Sequence, residues 1–365
     1  MNLLKNTLKH LQALVAFDTR NPPRAIGTGG IFDYLQHSLS GFAITLTDHG
    51  AGAVSLLAVR GTPRLLFNVH LDTVPDSPHW HSHPFELDVG GDCAVGLGAC
   101  DIKGAAAAML AVAQYSQGDC AFLFSTDEEA NDARCIPAFI ARKTAFDAVI
   151  VAEPTACKAV LAHRGNHSVR MRFSGHAGHA SGPQRARDSA LHQAVRWGAK
   201  ALALVETQAP QQFAGLTGLR FNIGRIEGGI KANMIAPEAD LRFGFRPLPS
   251  MDHIGLLEAF RTLTDIEPAE FEETFCGPSL PSGTSKNAEQ QRLQAHDLAL
   301  ALGLPVGKAV DFWTEAALFS AAGYVALVFG PGSIEQAHTA DEWVALGPLS
   351  DYANHLYRII DNGCA

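Results

Sequence analysis

Arg64-Leu65-Leu66-Phe67-Asn68-Val69-His70-Leu71-Asp72 is an apolar run that ends on a histidine and an acid. Two further segments repeat the design. Cys120-Ala121-Phe122-Leu123-Phe124-Ser125-Thr126 runs into Asp127-Glu128-Glu129, and Ala148-Val149-Ile150-Val151-Ala152 runs into Glu153. Unbroken apolar runs of this length read as central strands of a sheet covered on both faces. In open α/β sheets, ligands bind outside the carboxyl ends of such strands. The three strand ends therefore place a histidine and several carboxylates on one rim, which is what a hydrolytic metal centre needs.

The chain has 365 residues, more than one core usually supports, so two domains are expected. With 47% hydrophobic and 18% charged residues it has the composition of a soluble globular enzyme. A net charge of −9 argues against nucleic-acid binding, which relies on Lys and Arg to neutralise phosphate. The seven cysteines, at 93, 100, 120, 135, 157, 276 and 364, are odd in number and lack Cys-x-x-Cys spacing. Neither a disulfide framework nor a zinc knuckle is suggested, and reduced thiols fit a cytoplasmic location. Leu3, Leu4, Leu8, Leu11 and Leu14 give the N-terminal segment an amphipathic helical pattern instead of a signal-peptide core. No stretch reaches transmembrane length, so no membrane partner is expected.

The first part of the chain alternates strand and helix signals. Strands are expected at 43–47 and 53–59, and a polar loop at 80–92. Gly104-Ala105-Ala106-Ala107-Ala108-Met109-Leu110 opens a helix of strong helix formers, and a second helix is expected near 136–142. Alternating β and α elements imply a mostly parallel sheet. From 167 the texture changes. Ser168-Val169-Arg170-Met171-Arg172-Phe173 alternates polar and apolar, as a strand with one exposed side does. A helix from about Arg185 to Val205, strands at 221–227 and 239–246, and a helix at 251–263 complete a strand-helix-strand-strand-helix order. Gly277-Pro278-Ser279-Leu280-Pro281 reads as the return hinge, after which a helix (290–302) and an apolar strand (324–329) resume the α/β texture. The expected fold is an α/β domain with a mostly parallel sheet flanked by helices, at 1–166 and 275–365. A small α+β lid or dimerisation domain is inserted at 167–274.

Several residues on this scaffold can carry chemistry, and each has an ordinary alternative. In extended chain, His70 and Asp72 point to the same side, so His70 can bind a metal while Asp72 fixes its ring. A polar strand end is the plain alternative. Asp101 follows Gly96-Leu97-Gly98-Ala99-Cys100 and precedes the Ala-rich helix, where a helix cap is its commonest role and bridging of two cations the sharper one. Asp127, Glu128 and Glu129 repel one another unless cations neutralise them, although acidic runs are common in solvated loops. Glu153 is a carboxylate at the third strand end, and His338 lies in a Gly-Pro-Gly loop where an exposed histidine is ordinary. Together, two histidines and three acids suit zinc-type ions, and there are too many carboxylates for one tetrahedral zinc. A pair of metals is the reading that fits.

The segments His70-Leu71-Asp72-Thr73-Val74-Pro75, Gly98-Ala99-Cys100-Asp101-Ile102-Lys103-Gly104, Asp127-Glu128-Glu129, Ala152-Glu153-Pro154-Thr155 and Gly178-His179-Ala180 occur here in one order. Phe17-Asp18-Thr19-Arg20-Asn21-Pro22-Pro23, Gly228-Gly229-Ile230-Lys231-Ala232-Asn233 and the loop Gly330-Pro331-Gly332-Ser333-Ile334-Glu335-Gln336-Ala337-His338 extend the pattern over nearly the whole chain. It resembles the M20 family of dinuclear zinc amidohydrolases and exopeptidases. Within that family, the His338 loop and Phe245-Arg246-Pro247-Leu248-Pro249 look most like the branch that deacetylates N-acetylornithine or N-acetylcitrulline.

The resemblance implies that His70, Asp101, Glu129, Glu153 and His338 are metal ligands, with Asp101 bridging two divalent ions, zinc or alternatively cobalt. It implies Glu128 as general base, Asp72 as the partner of His70, and His179 as the group that reaches the substrate carbonyl. Asn233 and Arg246 match substrate-contacting positions, and the fork of Arg246 suits a carboxylate. His176 lies close to His179, and the choice between them follows the family motif. The implied activity is hydrolysis of an N-acetyl amino acid in arginine biosynthesis by metal-activated water, in a homodimer. A dipeptidase or other amino-acylase on the same site is the alternative. Two departures, Leu97 where the family often has Arg and Ile235-Ala236 where Ile-Pro is usual, bear on substrate fit and leave every ligand in place.

Overall fold

The structure is a computed structural model that describes residues 2–130, 132–183, 188–264, 266–283 and 285–363. Two compact units are present: Met1–Leu161 with Gln291–Lys308 and Thr314–Ala365, and Ala162–Gln290 with Ala309–Trp313. The boundaries drawn on the sequence, at 166/167 and 274/275, both fall inside the second unit.

The first unit is built on a six-stranded sheet. Its spatial order is Ala43–Asp48, Val54–Arg60, Cys120–Ser125, Leu65–His70, Ala148–Val151 and Val325–Val328. The last four strands are mutually parallel and the first two add antiparallel edges, so the mostly parallel sheet expected from the sequence is present. Every residue of Leu65–His70, Cys120–Ser125 and Ala148–Val151 is buried, as their apolar runs require. Helices Leu3–Val15, Gly104–Tyr115 and Leu346–Asp361 pack together and onto the sheet in one continuous core. Gly104–Tyr115 is apolar all round, and residues 104 to 113 are buried. A Cβ at Gly104 would lie 2.5 Å from the Ala99 carbonyl, so only glycine lets this helix start against the turn that carries Asp101.

The second unit is a four-stranded antiparallel sheet in the order Arg220–Gly228, Glu238–Arg246, Asn166–Ser174 and Glu270–Gly277. Helices Ala190–Thr207 and His253–Arg261 bury one face of it over Val169, Met171, Phe173, Trp197, Phe243, Phe245 and Phe260. The start expected for the first of these helices, near Arg185, lies outside the described residues. The sequence reading omitted the Glu270–Gly277 strand. The register of that strand shifts between Glu273 and Phe275, and this bulge breaks the period-two alternation by which strands are recognised.

No helix among the described residues is long and apolar enough to cross a membrane. The six described cysteines are free thiols; Cys364 lies outside the described residues.

His163, in the second unit, is fully buried, and its Nδ1 lies 2.8 Å from the Arg164 carbonyl oxygen. Burial, with a smaller push from the charge of Arg246, lowers its pKa from 6.5 to about 4 against the opposing backbone bond. A depressed histidine stabilises the fold above the unfolded value and loses that contribution as pH falls through the folded one. Between pH 6.5 and 4 this group is expected to withdraw on the order of 3 kcal/mol. In urea unfolding across that window, His163→Gln should reduce the pH slope by about one proton, and an unchanged slope would refute the assignment.

Candidate metal centre

His70 is the last residue of its strand and is 2% exposed. Its Nδ1 lies 3.0 Å from the Asp72 carbonyl oxygen and 3.5 Å from Asp72 Oδ1. A carbonyl only accepts, so Nδ1 carries the proton and Nε2 faces the rim. There Nε2 meets Asp101 Oδ1 at 3.3 Å and Glu153 Oε1 at 3.8 Å. The backbone of Asp72 thus holds the ring more closely than its carboxylate does. The second carboxylate oxygen, Oδ2, accepts instead from Asn21 Nδ2 and from the Glu129 amide, each at 3.0 Å. Asp72 therefore ties the His70 strand end to the neighbouring acidic loop.

Asp101 is 6% exposed and does not cap the Ala-rich helix, which starts three residues later. Its two oxygens face different imidazoles. Oδ1 lies 3.3 Å from His70 Nε2, and Oδ2 lies 3.4 Å from His338 Nε2. His338 Nε2 also lies 2.9 Å from Glu129 Oε1. Donor atoms of His70, Asp101 and Glu153 lie within 4.8 Å of one another, as do those of Asp101, Glu129 and His338. Asp101 is the residue common to both clusters. Its Oδ1 is buried and makes no hydrogen bond.

Burial and the closely spaced charges shift the proton affinities of this rim. Burial, and then the neighbouring acids, raises Glu153 well above the usual carboxylate range. Burial and then the charge of Glu129 do the same for Glu128. Burial would depress His70, yet Asp101, Asp72 and Glu153 outweigh it and raise the ring well above its ordinary value. Hydrogen bonds to Asp101 and Glu129 push His338 up to about 10. A divalent ion binds such a set with its imidazoles neutral and its carboxylates ionised.

Local structure makes the cluster possible. His338 adopts φ +59°, which aims its ring from an otherwise Gly-rich loop. Gly330, at the start of that loop, passes so close to Glu153 that a Cβ would lie 2.4 Å from the Glu153 carbonyl oxygen. Glu342, 2% exposed, accepts the amides of Gly98 at 2.9 Å and of Cys100 and Asp101 at 2.8 Å each. This carboxylate clamps the turn that presents Asp101. Glu315 is likewise buried and accepts from Ser125 Oγ at 2.9 Å.

Sequence reasoning gave Glu342, Glu315 and Asn21 no role. Nothing local distinguishes the two glutamates from surface acids, since their partners lie far away in the chain. Asn21 sits in the Phe17–Pro23 segment already noted for its resemblance, which was a usable signal.

His179, Asn233 and Arg246 belong to the second unit. His179 and Gly178 pair with Met234 and Ile235, and the Ala180 amide donates to the Asn233 carbonyl at 3.0 Å, so His179 and Asn233 lie beside each other at one small two-stranded sheet. His179 Nδ1 lies 2.7 Å from Ser181 Oγ, whereas His176 Nδ1 lies 4.0 Å from Asp188 Oδ1. Arg246 ends its strand at the edge of a groove of about 740 Å3, which Arg170, Arg220 and Arg242 also line.

A curated N-acetyl-L-citrulline deacetylase from Xanthomonas campestris pv. campestris is 65% identical over 361 residues, covering 99% of each chain. An acetylornithine deacetylase from Erwinia tasmaniensis is 30% identical over 83% of this chain and 81% of its own. Among solved structures, a tripeptidase from Staphylococcus aureus superposes with a TM-score of 0.73 at 19% identity, over 99% of this chain and 98% of that one. The aminopeptidase PepT from Bacillus cereus gives 0.72 at 18% identity over 99% of each, and both show the shared fold. The profile of peptidase family M20/M25/M40 matches residues 66–362, and the chain belongs to that family.

Proposed function

We propose that this protein is a metal-dependent hydrolase that removes the acetyl group from N-acetyl-L-citrulline. The observation that carries the metal chemistry is the pair of three-residue clusters joined at Asp101. The 65% identity to a deacetylase of that name supports the substrate. The site fits two divalent ions. Its donors are imidazole nitrogen and carboxylate oxygen, the set that zinc-type ions prefer, and Asp101 keeps a buried oxygen without a hydrogen-bond donor. His70, Glu153 and Asp101 would hold one ion, and Asp101, Glu129 and His338 the other. Bound there, such a pair supplies an acidified water and polarises the substrate carbonyl.

The protein's own groups perform the proton transfers. Glu128 takes a proton from the attacking water and passes it to the leaving amine as the amide C–N bond breaks, releasing acetate and the free amino acid. Its raised proton affinity suits a group that must hold a proton between those two events. His179 donates to the developing oxyanion, Asn233 contacts the substrate, and Arg246 pairs with its carboxylate. The inserted unit serves as lid and dimerisation surface of a homodimer. The strand Arg220–Gly228, largely exposed at the edge of its sheet, supports that reading. Zinc is the proposed ion, with cobalt as a competent substitute, in a cytoplasmic enzyme of arginine biosynthesis.

The test is a rate comparison after reconstitution with zinc or cobalt. N-acetyl-L-citrulline should show the highest kcat/KM, followed by N-acetyl-L-ornithine, with a free dipeptide slowest. A dipeptide turned over faster than both acetylated amino acids would overturn the proposal in favour of an exopeptidase.

A further inference from the structure

Side chains alternate along Glu238–Arg246, so Leu241, Phe243 and Phe245 pack beneath the helices of the second unit while Arg242, Gly244 and Arg246 face the other way. The groove of about 740 Å3 on that open face lies wholly within the second unit, and Gly244 forms part of its floor. A glycine inside a strand weakens it and often marks a place where a ligand approaches closely. Neither of the other usual reasons for one applies here. Gly244 keeps its register with Asn222 on one side and Ser168 on the other, and the nearest bulge, between Ile223 and Arg225, accounts for Gly224 instead. Its φ is not positive, so its backbone suits any residue. A Cβ at Gly244 would have one neighbour within 4 Å, the His167 carbonyl oxygen at 3.2 Å, and no side chain. The space above it is open.

Resting on the deacetylase reading, with Arg246 on the substrate carboxylate, we infer that the trough over Gly244, walled by Asn222 and Ser168, receives the ureido group of N-acetyl-L-citrulline and sets the preference for it over N-acetyl-L-ornithine. The lengths agree. Five bonds separate the α-carbon of citrulline from its ureido carbon, a span of about 6 Å, and the two residues from Arg246 to Gly244 advance the strand by about 6.8 Å. The chemistry agrees as well. Asn222 is exposed and Ser168 half-buried, and among the described residues neither side chain makes a hydrogen bond within the protein. A carboxamide is the complement of a ureido group, because its oxygen accepts from the ureido N–H groups while its nitrogen donates to the ureido carbonyl. The Ser168 hydroxyl can serve either end.

Ornithine ends instead on an ammonium, which donates only and needs an acid. The groove is lined by Arg170, Arg220, Arg242 and Arg246 but by one acid, Glu272, which stands opposite Arg170 in the strand register. The acids nearby are committed too. Asp240 accepts from Arg170 at 2.7 Å and from Arg242 at 3.3 Å, and Asp311 lies 3.5 Å from Arg220 Nε. An ammonium placed over Gly244 would sit among guanidinium groups with every neighbouring carboxylate already paired. A neutral ureido group meets no such repulsion, and discrimination of this kind comes from what the wrong substrate cannot satisfy.

The test is kcat/KM on N-acetyl-L-citrulline, N-acetyl-L-ornithine and N-acetyl-L-alanine with the full-length protein reconstituted with zinc. Asn222→Asp keeps the shape of an exposed side chain, removes its N–H donors and adds a charge. The ratio of the citrulline to the ornithine substrate should fall by about tenfold or more. Gly244→Val fills the trough. It should lower kcat/KM on N-acetyl-L-citrulline by on the order of tenfold relative to N-acetyl-L-alanine, whose methyl group does not reach that far. An unchanged ratio in Asn222→Asp, or equal losses on the long and short substrates in Gly244→Val, overturns the ureido site and leaves the deacetylase reading in place. A wild type that prefers a free dipeptide overturns both.

Discussion

Glu128→Gln should lower kcat by about 100- to 10,000-fold, the usual contribution of a positioned general base and acid, while metal content stays at the wild-type level. The substitution keeps the shape of the side chain and removes its capacity to accept a proton. Glu128 belongs to neither metal-binding cluster, so ion affinity should not follow activity. Its neighbour Glu129 does belong to one, and Glu129→Gln should lower both quantities together. The contrast between adjacent residues is the informative part. Metal analysis and steady-state rates on the two variants check it, and Glu128→Gln within a few-fold of wild type would remove Glu128 from the mechanism.

Asp101→Ala is expected to have the largest effect on metal content. Each of the other four donors serves one cluster, whereas Asp101 offers one oxygen to each. Its removal should weaken both ions by more than the roughly 100-fold that follows loss of an outer-shell partner, and hydrolysis should fall with it. The fold should persist. Asp101 lies in a turn held through its backbone by Glu342, and truncation leaves that bond in place. Metal stoichiometry at equal free ion, read beside circular dichroism, tests this. A variant that is folded and still binds two ions with wild-type affinity would refute the bridging role.

The sequence made much of this legible, for identifiable reasons. Strands buried on both faces must be apolar throughout, so the runs before His70, Asp127 and Glu153 mark the sheet, and their ends mark its rim. The second unit was legible where alternation is clean, as in Asn166–Ser174, and illegible where a bulge breaks it, as in Glu270–Gly277. Helices Ile31–Ser38 and Leu346–Asp361 also went unassigned. The second of them contains Gly347 and Pro348, which read locally as a break but lie in its first turn, where the missing amide of proline costs nothing. Asp101 illustrates the limit of local reasoning. An acid just before an Ala-rich helix looks like its cap, and only the two imidazoles facing it, far away in the chain, show otherwise. Spacing pairs Asp72 with the His70 ring, and the ring nitrogen lies nearer its carbonyl, at 3.0 Å, than its carboxylate, at 3.5 Å, while the carboxylate also accepts from Asn21 and Glu129. Spacing places a residue; it does not choose which of its atoms does the work.

The Glu342 clamp has a consequence for how the enzyme comes into being. Its three hydrogen bonds span 241 to 244 residues of chain, and His338 comes from the same late segment. Because synthesis proceeds from the N-terminus, the Asp101 turn has no acceptor for its amides until residue 342 has left the ribosome. Ordering contacts this distant along the chain is slow, since long loops must close first. Five of the six strands of the sheet are made by residue 151, long before the sixth strand, His338 and the Glu342 clamp emerge. The cluster of Asp101, Glu129 and His338 can assemble only once that late segment has emerged, whereas His70, Asp101 and Glu153 are all present by residue 153.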